Sequence, residues 1–142
     1  MLFGNDRSAL RRYYVESWHK LCAGESLEPL ERLVAEVVRQ HPEYHSMLEG
    51  DADKLERDYT PEGGQSNPFL HMGMHIAIQE QLATQRPAGI VEAYQRMMNK
   101  LGDPHLVEHE MMECLGEMLW QAQREGTAPQ EQHYIECLKR RT

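Results

Sequence analysis

Two places in this chain pair an Asx residue with a proline, Asn67-Pro68 and Asp103-Pro104, and a long run at helical spacing follows each. An Asn or Asp side chain accepts from the backbone N–H groups of a first helical turn, and proline is tolerated in that turn, so each pair marks a helix start. Similar punctuation recurs along the chain. A helix is predicted from Arg7 to Cys22, stopping near Gly24. Ser26 is predicted to cap a second, in which Leu27, Leu30, Leu33, Val34, Val37 and Val38 repeat at helical spacing. "HPEYHSMLEG" reads as a short helix from Pro42 that stops at Gly50. Asn67 caps a helix to about Thr84, Pro87 opens one ending at Gly102, Pro104 one reaching Arg124, and Thr127 to Pro129 a last one. Strand signals, meaning β-branched alternation with hairpin turns, are nearly absent. The expected fold class is all-α, an irregular single-domain bundle of about six or seven helices. Residues 51–66 form a loop-rich connection between the N-terminal helices and those that carry histidines, and "TPEGGQS" is its clearest turn.

A length of 142 residues suits one domain with one core. The formal net charge of −8 argues against nucleic acid or an anionic membrane as partner, since phosphate binding needs a Lys/Arg surface. Lys139, Arg140 and Arg141 end a predicted helix, where positive charge suits the macrodipole. The N-terminal stretch has no apolar signal core and no run is long enough to span a bilayer, so a cytoplasmic location is expected. Cys22, Cys114 and Cys137 show no C-x-x-C spacing, and buried unpaired thiols are expected of them, not a disulfide or a thiolate zinc site.

The functional signal lies in the histidines. Six of the eight fall in H-x-x-x-H pairs: His41/His45, His71/His75 and His105/His109. Residues four apart lie about 40° apart on a helix, so each pair puts two rings on one face. Phe69, Leu70, Met72, Met74 and Ile76 surround His71 and His75, and so apolar a helix belongs in an interior. Along the helix from Pro104, His105, His109 and Glu113 form one row at the border of an apolar stripe made by Met111, Leu115, Met118, Leu119 and Ala122. Glu117 continues that row, and Cys114 points to the opposite side. His41 and His45 flank Pro42, whose effect on local geometry makes them the poorer ligand pair.

Short motifs overlap these rows. "HLVEH" fits the H-x-x-E-H spacing of the inverzincin peptidases, in which Glu108 would be general base. On a helix Glu108 projects about 100° away from His109, toward the apolar stripe, so that mechanism is set aside. Hemerythrin-like bundles are similar in the spacing of His109 and Glu113, but Gln79 stands where a carboxylate would follow His75.

Longer blocks carry a more specific resemblance. "HPEYHSMLE", "DYTPEGGQSNPFLHMGMHIAIQEQ", "RPAGIVEAYQ", "HEMMECLGEMLWQAQREG" and "YIECLKRR" together resemble the bacterial family known as domain of unknown function 1841. The resemblance implies a small, mostly helical bacterial protein. Its recurring patterns fall here on Asn67, Pro68, His71, His75, Glu80, Gln81, His109, Glu113, Cys114, Glu117 and Trp120. Trp120 is expected to be a core or interface anchor.

Two functional expectations follow. In the first, His71, His75, His105, His109 and Glu113 on two facing helices hold a transition metal (zinc, iron or manganese), with Glu117 as a supporting or proton-transfer group. An open coordination position would then allow metal-assisted hydrolysis or redox chemistry. In the second, the histidines form a buried polar network in a non-catalytic module, and methionines such as Met72, Met74, Met111, Met112 and Met118 pack a protein partner or a second copy of the chain. No substrate is named by either.

Overall fold

The computed structural model describes residues 7–49 and 67–142. The connection expected over 51–66 and the first residues of the chain lie outside the described residues. The fold class is all-α. Among the described residues there are seven α-helices: α1 Arg7–Cys22, α2 Pro29–Arg39, α3 His45–Glu49, α4 Pro68–Thr84, α5 Ile90–Leu101, α6 Pro104–Glu125 and α7 Glu131–Arg141, with a 3-10 turn at Pro42–Tyr44. No helix among the described residues is long and apolar enough to cross a membrane.

The strongest start signals act as their chemistry requires. Asn67 Oδ1 accepts from the backbone N–H groups of Phe69 and Leu70 at 3.0 and 3.2 Å. Asp103 Oδ1 accepts from His105 N at 2.9 Å. Elsewhere starts move. Ser26 does not cap α2; the helix begins at Pro29, and the Glu28 backbone N–H donates to Glu31 Oε1 at 2.9 Å. α5 begins at Ile90, not Pro87, because Gly89 has a left-handed φ of 93°, which no right-handed helix can include. α7 begins at Glu131, after an extended Gln130.

The chain divides into two compact units, Met1–Ile76 and Ala77–Thr142, with the boundary inside α4. In the first, α1 packs along α2. Tyr14 and Trp18 of α1, Val34, Val37 and Val38 of α2, Leu48 of α3, and Phe69, Met72 and Ile76 of α4 make its core. Burying such side chains stabilises by about 1.5–3 kcal/mol each before the opposing entropy. Tyr14 packs edge-on against Phe69 with ring centroids 5.7 Å apart, and the Arg11 guanidinium lies over the Phe69 ring, 4.6 Å from its centroid. Burial pushes the Tyr14 hydroxyl well above the ordinary phenol range.

In the second unit α5, α6 and α7 pack on one another. Their buried residues include Ile90 and Met97, then Val107, Met111, Leu115, Met118 and Ala122, then Ile135 and Leu138. The stripe expected on α6 is therefore present except at Leu119, which is 40 % exposed. Trp120 is 56 % exposed and covered on one face by Arg124 at 5.1 Å, so it is not a core residue. At 100° per residue, position 120 follows 119 out of the stripe. Cys114 and Cys137 are bonded to each other, against the expectation of unpaired thiols, and Cys22 is free and exposed. Sequence spacing conceals the pair because α6 and α7 bring the two sulfurs together only by packing side by side.

Candidate metal centre

The first unit assembles its imidazoles at the end of α2. The last carbonyls of any helix lack intrahelical donors, and here histidines supply them. His41 Nδ1 donates to Val37 O at 2.7 Å, and His45 Nε2 donates to Val38 O at 2.8 Å. A carbonyl only accepts, so the His41 proton resides on Nδ1 and its lone pair on Nε2. His45 continues outward and lies against Trp18, ring centroids 4.3 Å apart. The Pro42 turn thus sends the two rings of one pair to different tasks.

His41 instead turns toward α4. Its ring centroid is 5.2 Å from that of His71 and 4.8 Å from that of His75. His71 and His75 are themselves 4.8 Å apart by centroid, with Nε2 to Nε2 at 3.3 Å. His41 and His75 offer ligating nitrogens within 4.8 Å of each other and are essentially fully buried, at 1 % and 0 % exposure. Tyr44 stacks on His41 at 5.6 Å and meets His71 edge-on at 6.4 Å. Partial burial, and then the Glu43 carboxylate, raise the Tyr44 hydroxyl above its ordinary range, keeping it a neutral neighbour.

In the second unit His105 and His109 stand one turn apart on α6, centroids 4.3 Å apart, and also offer nitrogens within 4.8 Å of each other. The carboxylates further along the same row are engaged elsewhere. Glu113, its side chain 66 % exposed, pairs with Arg141 at 2.9 Å. Arg141 also pairs with Glu110, and that hydrogen bond chiefly raises the guanidinium pKa. Glu117 lies with Oε2 3.6 Å from Cys137 Sγ. Glu108, the base of the peptidase motif, is buried and accepts from Gln79 Nε2 at 3.2 Å, facing the interior as its helical angle predicts.

The 71/75 and 105/109 pairs are thus each brought together within one unit, while the 41/45 pair is split. His41 joins His71 and His75, although spacing alone ranked it low. The available signal was its H-x-x-x-H relation to His45, which Pro42 obscured. Cys114 and Cys137 were legible only as separate residues.

An all-α chain in which the His41, His71 and His75 rings neighbour one another, two of them buried, carries a histidine cluster compatible with metal binding. The chain matches the family model described as Domain of unknown function (DUF1841) over residues 6–140, and it belongs to that family. No curated protein and no solved structure matches it.

Proposed function

We propose that this protein binds a transition-metal ion through its imidazoles, zinc, iron or manganese being the ions such a nitrogen and carboxylate set suits. The observation that carries this reading is the contact of His71 and His75 Nε2 at 3.3 Å with the His41 ring against both. Zinc–nitrogen bonds of about 2.0–2.1 Å at tetrahedral angles put neighbouring ligand nitrogens roughly 3.3 Å apart. Direct hydrogen bonds from N–H cluster nearer about 2.9–3.0 Å. The Nδ1 bond from His41 to Val37 supplies the outer hydrogen bond that a ligating histidine makes in a metal site.

His105 and His109 are a second proposed ligand pair, their identical spacing being the support. Glu113 is the weaker donor, since it would have to release Arg141 first, and Glu117 keeps a supporting or proton-transfer place beside it. An ion with an open position would supply a Lewis acid for hydrolysis or a redox centre. The competing reading, a polar network in a non-catalytic module, is favoured by the His41 and His45 bonds to backbone carbonyls.

Elemental analysis after purification without a nickel column separates the two. Stoichiometric zinc, iron or manganese in the wild type, lost in His75→Ala, is the expected result. A folded, metal-free wild type whose melting temperature ignores added zinc, iron and manganese overturns it and leaves the network reading.

A further inference from the structure

We propose that Cys114 and Cys137 are a reversible dithiol/disulfide pair that exchanges with a low-molecular-weight thiol entering a cavity beside them. The bonded sulfurs join α6 to α7. Cys114 is 1 % and Cys137 5 % exposed, yet both line a cavity of about 230 Å³ together with Glu117, Gln121, His133 and Arg140. A crosslink enclosed by packed side chains offers an attacking thiol no path. One that forms a cavity wall does.

Glu117 sets the direction of attack. Its Oε2 lies 3.6 Å from Cys137 Sγ, and a disulfide sulfur has no proton to donate, so this contact gains its hydrogen only on reduction. A carboxylate beside Cys137 disfavours a thiolate there. Cys114 is then the better leaving group, because the thiol that more readily holds negative charge departs faster. Arg140, lining the same cavity, offsets part of the acidic charge that Glu117 and Glu136 present to an incoming thiolate.

The exchange balances in two steps. A thiolate attacks Cys137 Sγ; the Cys114–Cys137 bond breaks, a mixed disulfide forms on Cys137, and Cys114 leaves with the electron pair and takes a proton from water. A second thiolate attacks the small-molecule sulfur of the mixed disulfide, releasing a symmetrical small disulfide, and Cys137 takes up a proton beside Glu117. Two small thiols are oxidised to one disulfide and the protein pair is reduced to two thiols. The reverse sequence closes it. α7 keeps other ties to its unit when the bond opens: Arg141 pairs with Glu110 and Glu113, and the Tyr134 hydroxyl donates to Gln81 Oε1 at 2.7 Å.

The test uses the full chain carrying Cys22→Ser, equilibrated in mixtures of 2-mercaptoethanol and its disulfide, quenched with iodoacetamide and read by peptide mass. Circular dichroism on the same samples reports helix content. Cys114 and Cys137 are expected to pass together from crosslinked to doubly alkylated while the helical signal is retained. Adding Glu117→Gln is expected to speed reduction several-fold by removing charge from the path of the attacking thiolate. Thiols that never pair, a crosslink that opens only as the helical signal is lost, or a rate unchanged by Glu117→Gln would each overturn the proposal.

Discussion

The pairs His71/His75 and His105/His109 have the same spacing and different surroundings. On α4 the rings lie among apolar residues, with His75 fully buried and a third imidazole, His41, against both. On α6 the rings are half-buried, and the carboxylates that continue their row are held by Arg141 or lie beside Cys137. Spacing at i, i+4 delivers two rings to one face, while the neighbours decide what those rings can do. A buried imidazole must find a partner or an ion.

The largest effect should come from breaking the buried cluster. His75→Ala is expected to weaken zinc binding by more than about 100-fold, beyond the range seen for outer-shell changes. Isothermal titration with zinc measures it, and an unchanged affinity would remove α4 from the site. His109→Ala sharpens the contrast: a loss of at least about 10-fold in zinc affinity is expected if the α6 pair takes part in binding. An affinity equal to wild type would confine binding to His41, His71 and His75.

The crosslink is the next largest. Cys137→Ser is expected to cost the second unit about 3 kcal/mol by the chain-entropy model, given the 23-residue separation of the paired cysteines. Urea unfolding under oxidising conditions reads this, and the same variant should leave zinc affinity near wild type. Arg141→Ala should cost less than about 1 kcal/mol, because its partners Glu110 and Glu113 are substantially exposed and water screens the pairs. Its effect should shrink in high salt.

The smallest effect belongs to the first unit. Lys20 Nζ bonds Glu31 Oε2 at 2.6 Å, and that bond, followed by the Glu28 backbone N–H, holds the Glu31 carboxyl below its ordinary range. A depressed folded-state pKa stabilises above the unfolded value, and the benefit fades as pH falls through the folded one. Lys20→Gln should therefore lower the melting temperature slightly at neutral pH and flatten its decline on acidification. An acid limb as steep as the wild type's would count against the pairing.

Much of the architecture was legible beforehand for a local reason. A capping side chain, a first-turn proline and an apolar stripe act within a few residues of one another, so α1, α4 and α6 sit close to where their patterns predict. The start of α5 lies three residues past Pro87 because Gly89 takes a left-handed φ, a conformation that glycine permits but does not require. Of the two places expected for Trp120, core or interface anchor, its exposure removes the core, because the angle of its helix turns it outward.

The all-α class, the family membership and the three histidine pairs rest on residue identity and short-range spacing, so they can be read from the chain alone. Tertiary structure alone decided which ring meets which group. It bent His41 at Pro42 away from His45 and onto His71 and His75, committed Glu113 to Arg141, and closed Cys114 onto Cys137. Those contacts join residues far apart in the chain, and their geometry is set by how helices pack, which no local pattern records.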